Sequence, residues 1–210
     1  MIKKLALAAA GIGVMALGSA AALAQYEQRT EEPDFTAIVE DGDFALREYP
    51  SIVVAEVWHT GTRERASSAG FRRLAAYIFA QDRGGEAIAM TAPVIQDAPE
   101  QIAMTAPVMQ DEGEAGRWRT RFVMPAEYTL ETLPPAPDDI TLTEIPARRM
   151  AVIRFSGWGQ TLALTQKEAE LRAWMADRDL TAAGNAEYAF YNSPAVPGPM
   201  RRNEVMIPVG

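Results

Sequence analysis

The chain has 210 residues, with 20 Lys or Arg against 28 Asp or Glu, one His and no Cys. That acidic balance argues against a general nucleic-acid binder, which needs a basic footprint, and against adhesion to anionic membranes. The missing Cys excludes disulfides, thiolate metal sites and cysteine nucleophiles, and His59 alone cannot build a multi-His metal site within one chain.

Lys3 and Lys4 precede an apolar run, Leu5–Leu17, and Ala22-Leu23-Ala24 follows it. This is the order of a secretory signal peptide, residues 1–24, cut before Gln25. Leu5–Ala24 is also long enough for a retained anchor, but its small-residue ending favours cleavage. The expected product is periplasmic or secreted, with no stable membrane insertion after cleavage. It keeps 186 of the 210 residues, and 18 basic groups against 28 acidic ones give it a net charge of about −10.

Residues 25–40 read as a polar N-terminal leader, and 41–210 as one domain. Phe44–Tyr49 and Ile52–Trp58 read as strands parted by Pro50-Ser51. Arg65–Ala80 has helical spacing, with Phe71, Leu74, Ala75, Ile78 and Phe79 on one stripe and Arg72 and Arg73 beside it. Gly84-Gly85 is the expected end of that helix.

One phrase is then written twice. Ile88-Ala89-Met90-Thr91-Ala92-Pro93-Val94-Ile95-Gln96-Asp97 returns 14 residues later as Ile102–Asp111, with only Ile95 changed, to Met109. A local tandem duplication making two similar strands explains this, and a duplicated active site is the alternative. Two strands around the turn Asp97-Ala98-Pro99-Glu100 predict a hairpin of the two copies.

Arg117–Met124 alternates, with Trp118, Thr120, Phe122 and Met124 on one face and Arg117, Arg119 and Arg121 on the other. The Arg row reads as a solvated strand face, or else as an anion site. Pro125–Pro137 holds four prolines and reads as a crossing connection.

Then the opening pattern returns at an offset of 96: Leu46, Glu48, Pro50, Ala55 and Gly61 recur as Leu142, Glu144, Pro146, Ala151 and Gly157. A second helix follows, with Leu164, Leu171, Trp174 and Met175 on one side and Thr165-x-x-Glu168 as a capping box. Strands at Tyr188–Tyr191 and Glu204–Val209 flank a Pro/Gly loop at Asn192–Met200. The expected fold is α+β: a distorted antiparallel barrel or curved sheet of two pseudo-symmetric βαβ-type halves, about 41–125 and 138–210, with two main helices.

These residues resemble the SOUL haem-binding family over nearly all of the mature chain. Phe44–Tyr49 looks like its opening strand, and Ile102–Val108 with its twin Ile88–Val94 looks like its most recognisable motif. Phe122-Val123-Met124-Pro125, Tyr191-Asn192-x-Pro194 and Arg201–Val205 complete the likeness. The resemblance implies haem or another tetrapyrrole as small-molecule partner, in a mostly apolar site. By position its wall would be Phe71, Arg72, Ala75, Ala76 and Phe79 on the first helix, closed by Tyr191, Asn192, Pro194, Val196 and Met200 from the loop. Glu48 stands where some members carry His, so no strong axial protein ligand is expected; Met206 stands where Trp is common.

A haem site needs an apolar slot and cations for two propionates. Arg72, Arg73, Arg201 and Arg202 are the cations on offer, although Arg72 and Arg73 on a helix edge equally suit solvent. His59 reads as a surface or packing residue. The expectation is a non-catalytic binding protein. Alternatives are a module for another apolar small molecule, an enzyme using a pocket carboxylate such as Glu204, and an interaction protein without a ligand. Glu204 reads equally as a structural partner of Arg201 or Arg202.

Overall fold

The structure is a computed structural model that describes residues 30–98, 116–193 and 195–210. Nine strands form one antiparallel sheet: β1 (Thr36–Asp41), β2 (Phe44–Tyr49), β3 (Ile52–Thr60), β4 (Val94–Asp97), β5 (Arg117–Val123), β6 (Thr141–Ile145), β7 (Arg148–Phe155), β8 (Glu187–Phe190) and β9 (Asn203–Val209). Their order across the sheet is β1-β2-β7-β9-β8-β4-β5-β3-β6. Five strands therefore lie between β2 and β3, yet only Pro50 and Ser51 join them in the chain. Neighbouring strands sit about 4.8 Å apart, so a two-residue link cannot bridge a flat sheet of that width. The sheet has to curl until β2 and β3 meet. The expected α+β curved sheet is what forms.

Two helices cover the outer face: α1 (Arg63–Ile78) and α2 (Thr161–Ala176). Leu74, Tyr77 and Ile78 of α1 are buried against Ala55, Val57 and Phe122, and Phe71 meets Phe122 edge-on at 5.3 Å. Leu164, Leu171, Trp174 and Met175 of α2 are buried against Leu46, Ala151, Val205 and Ile207. Each such large side chain contributes roughly 1.5–3 kcal/mol by leaving water. Pairing across the sheet is reciprocal: Leu46 faces Ala151, and Leu142 faces Ala55.

The ends of the helices differ from the sequence reading. Helix α1 stops at Ile78, before Gly84-Gly85. Ala80 turns left-handed at φ 54°, and Arg83 donates to the carbonyls of Tyr77 and Ile78, closing the last turn. Phe79 thus leaves the apolar stripe. Helix α2 starts at Thr161, so Thr165 is no cap; its hydroxyl donates back to the Thr161 carbonyl, and Glu168 pairs with Arg172. The last residues of the expected leader, from Thr36 to Glu40, instead belong to edge strand β1, paired with β2.

Between the two helix starts sits a buried guanidinium. Arg63 donates to Thr161 Oγ1 at 3.1 Å, Gln96 Oε1 at 3.2 Å, the Gly159 carbonyl at 2.9 Å and Glu64 at 3.0 Å. Gln96 returns a bond from Nε2 to the Arg63 carbonyl at 3.0 Å. The first turns of α1 and α2 are thereby tied to β4.

The first copy of the repeated phrase is built into this frame. Ile88, Ala92 and Ile95 are buried, and the Thr91 hydroxyl donates to the Val123 carbonyl. Only Val94–Asp97 is strand, and it pairs with β5 on one side and β8 on the other. Both edges being occupied, the expected hairpin of two copies does not form along Val94–Gln96. The second copy, Ile102–Asp111, lies outside the described residues, as do the expected signal peptide and Pro194.

Helix α1 crosses β5 closely at Gly70. A Cβ added there would stand 2.4 Å from Thr120 Oγ1. Gly70→Leu should therefore force helix and strand apart and cost about 1–3 kcal/mol, read as a lowered thermal midpoint.

Candidate functional site

The face of the sheet away from the helices closes on itself. Strand alternation sends Arg47 and Tyr49 of β2 inward, along with Met150 and Val152 of β7 and Glu204 and Met206 of β9. Ala189 of β8 and Tyr191, just past its end, join them. From the other side come Ile52 and Val54 of β3, Ile95 of β4 and Val123 of β5.

Two charged clusters are embedded in this apolar lining. In the first, Arg121, 3% exposed, lies 3.2 Å from both Asp97 and Glu187. Arg148 holds Glu187 with two bonds of 2.6 and 2.8 Å, and Arg119 holds Asp97 at 2.6 Å and Glu56 at 3.4 Å. Arg119 and Arg121 are therefore not on a solvated strand face, since their charges are matched internally, whereas Arg117 is exposed and lies over the Trp58 ring. Arg121 Nη2 makes ion pairs there without a well-aligned hydrogen bond. Burial pushes the Glu187 carboxyl up, but the Arg121 and Arg148 charges outweigh it and hold the group below its ordinary value.

The second cluster centres on Glu204, 1% exposed. Its Oε2 accepts from Arg47 Nη1 at 3.0 Å and from the Tyr191 hydroxyl at 2.7 Å. Arg47 Nη1 also donates to the Tyr49 hydroxyl at 3.2 Å. Arg202 lies over the Tyr191 ring, 3.4 Å from its centroid, and pairs with Glu32. Burial, reinforced by the Glu204 charge, pushes the Tyr191 phenol well above its usual range. Glu204 thus has partners, but the main ones are Arg47 and Tyr191; Arg202 stands off at 3.7 Å.

Above Glu204 is a narrow slot lined by Phe35, Tyr49, Ile52, Met150, Tyr191 and Met206. Its free volume is about 20 Å³, room for about one water. It shares Glu32, Pro33, Pro50 and Ile52 with a wide groove of about 560 Å³. That volume is in the range of small-molecule sites. The groove has apolar walls at Val53, Met124, Tyr128 and Leu130, and carboxylates Glu31, Glu32, Asp34, Glu131 and Glu144. No Lys or Arg is among its described lining residues.

Of the ten positions taken from the family likeness, nine are among the described residues, and they lie in different surroundings. Phe71 and Ala75 are partly buried, packed against the core under α1; Ala76 is likewise half-buried, Arg72 exposed, and Phe79 45% exposed beyond the helix end. Tyr191 opens onto the opposite face of the sheet, so the sheet itself separates it from Phe71. Asn192 Oδ1 accepts from the Arg202 backbone, and Val196 is buried. Arg73 is held by Asp82 and Asp139.

Beside Met200 of the named loop, the connection between β7 and α2 and the first turn of α2 expose two apolar side chains that sequence reading missed, Trp158 and Leu162. Trp158 is 60% exposed, Met200 41% and Leu162, on the first turn of α2, 71%. Gly198 leaves room for Trp158, since a Cβ there would stand 2.6 Å from its Nε1. The Arg201 guanidinium lies 4.3 Å over the Trp158 ring and donates to the Val196 carbonyl at 2.7 Å. Trp158-Gly159 just before a helix was the available signal, but it reads as an ordinary loop.

Fold and site define an α+β domain with helices on one face of a curled sheet, matched charges buried on the other, and a groove at the start of β3 and the end of β5, lined also by the connection that follows β5. The chain belongs to the family described as SOUL heme-binding protein, whose model matches residues 30–208. Among solved structures, the EcmrR C-terminal domain is similar at 11% identity and a TM-score of 0.55, over 80% of this chain and 96% of that one. A hydrolase from Listeria innocua is similar at 11% identity and 0.54, over 82% and 94%. Likenesses this distant show the fold alone. No curated protein sequence matches the chain. Among the described residues, no helix is long and apolar enough to cross a membrane, and no three His, Asp or Glu side chains group as a metal site.

Because the Glu187 carboxyl is held low, its contribution to stability is complete above its ordinary value of 4.5 and is lost as pH falls through the folded-state value. Thermal midpoints measured across acidic pH should therefore drop below about pH 4.5. Glu187→Gln should start lower at neutral pH, since Arg121 and Arg148 lose their anion, and should fall less steeply in acid.

Proposed function

We propose that the mature protein is an exported, non-catalytic binding protein for haem or a related tetrapyrrole, held on the outer surface around Trp158, Met200 and Arg201. The observation that carries this reading is a Trp left 60% exposed on the connection between β7 and α2, with Arg201, which follows the loop that the family likeness names, stacked over it. Large exposed aromatics bordered by charge mark interaction surfaces. A tetrapyrrole offers a flat apolar face for Trp158 and Met200 and carboxylates for Arg201. The slot above Glu204 is too small for a macrocycle, and the groove sets carboxylates where propionates would go. Bound haem would supply its own iron chemistry. This chain supplies the platform and the cation, and no axial ligand is required.

Titrating the protein with hemin should shift the Soret band saturably, and iron-free protoporphyrin should bind about as well. Trp158→Asp should weaken both roughly tenfold or more, because the added charge opposes the apolar face. His59→Ala should change little: His59 stands in β3 opposite Trp118. No saturable binding of either porphyrin would overturn the assignment.

A second reading has one observation in its favour. The groove, with five carboxylates and apolar walls, suits an apolar small molecule that carries positive charge. Saturable binding of ethidium that Glu131→Gln with Glu144→Gln weakens, and Trp158→Asp does not, would select it. An enzyme built on Glu204 has less support, because Arg47 and Tyr191 already occupy the reactive oxygen.

Export rests on the sequence of residues 1–24. Intact-mass analysis of the periplasmic fraction should give a chain beginning at Gln25; a cytoplasmic chain retaining Met1–Ala24 would refute export.

A further inference from the structure

The slot between β5 and β8 has two candidates in the chain. It is filled by the first copy of the repeated phrase, and the second copy is nearly the same sequence. We propose that Ile102–Asp111 is a spare β4, so that the chain folds in either of two registers 14 residues apart.

Each contact the slot asks for is written in both copies. Ile88 and Ala92 fill buried positions, and Ile102 and Ala106 match them. Thr91 donates to the Val123 carbonyl, and Thr105 carries the same hydroxyl. Gln96 exchanges bonds with Arg63, and Gln110 is the same amide. Asp97 neutralises Arg119 and Arg121, and Asp111 brings the same carboxylate. Without that pair of polar residues the buried Arg63 and Arg121 would lose partners, so an unrelated strand could not substitute. The one difference, Ile95 against Met109, is a swap of near-equal volume that cores tolerate. Ile is the better strand former, which favours the first copy.

Chain connectivity permits the exchange. With the first copy seated, residues 79–87 link it to α1 and 98–116 link it to β5. With the second seated, those links become 79–101 and 112–116. One link lengthens by the 14 residues the other loses, and closure entropy varies only logarithmically with length, so the two changes largely offset each other. The short link Glu112-Gly113-Glu114-Ala115-Gly116 has the composition of a hairpin loop between antiparallel strands.

The test uses the full chain and a charge placed at the one position where the copies differ. Ile95 is buried in the inner cluster, so Asp there should be expelled from the slot. Ile95→Asp alone should lower the thermal midpoint by only about 3 °C, since the second copy takes the slot. Met109→Asp alone should be silent. The double variant should lose on the order of 10 °C or more. Hydrogen exchange followed on peptides should show protection moving from Val94–Asp97 to Val108–Asp111 in Ile95→Asp. If either single variant loses as much as the double, one copy alone fills the slot and the proposal fails. It fails equally if the double variant is as stable as wild type, or if protection in Ile95→Asp stays on Val94–Asp97.

Discussion

The fold depends on the way Arg63 is buried. A cation at the first position of a helix faces the positive end of the helix dipole, which is an unfavourable place for it. Here Glu64 beside it, the Gly159 carbonyl, Thr161 Oγ1 and Gln96 Oε1 supply acceptors on several sides. A guanidinium presents five N–H donors in a fixed fork, so satisfying them fixes the relative positions of the groups that accept. Those groups belong to the starts of both helices and to β4. One side chain thus decides how α1 and α2 sit on the sheet, and it requires a buried amide at Gln96.

The same logic of internal matching governs the inner face. Arg121, Glu187, Asp97 and Glu204 are buried, and each has an opposite charge or a phenol within reach. Pairs of this kind add less stability than their Coulomb attraction suggests, because desolvation opposes it. Their effect is to penalise any strand order or register that leaves one of them alone. A nine-stranded sheet with long crossovers has many such alternatives, and the matched charges separate the native one from them.

How much of this was legible in the sequence follows from the range of each interaction. Alternation along Phe44–Tyr49 and the stripe of Leu74 and Ile78 are local patterns, and the strands and helices they announce are present. The equal spacing of Leu46 with Leu142 and Ala55 with Ala151 reappears as reciprocal cross-strand pairs. Arg121 was misread because its burial is decided by Glu187, far along the chain and brought near only by the curl of the sheet. Thr165-x-x-Glu168 has the letters of a cap but lies a turn inside the helix. The helix starts where Gln160 is extended and Gly159 adopts a positive φ of 62°. Position along a helix axis is set by what precedes it, which a four-residue motif does not contain. Strand β1 was missed for a related reason: all of its residues are exposed, so burial leaves no alternation to read.

The site shows the same division. The family likeness pointed to a helix and a loop; Arg201, which follows the loop, lies over the exposed Trp158 of the neighbouring β7–α2 connection, and the helix residues Phe71 and Ala75 pack, partly buried, against the core. Phe71 is partly buried, and its edge-on contact with Phe122 helps hold α1 to β5. A chain this acidic can attract an anionic tetrapyrrole only through a local cation, because the long-range field opposes it and is screened beyond about 10 Å in salt. On the proposed reading Arg201 supplies that cation, lying over the aromatic plane of Trp158. The groove, by contrast, is lined by carboxylates without a Lys or Arg among its described residues, so on the proposed reading the two surfaces would favour ligands of opposite charge.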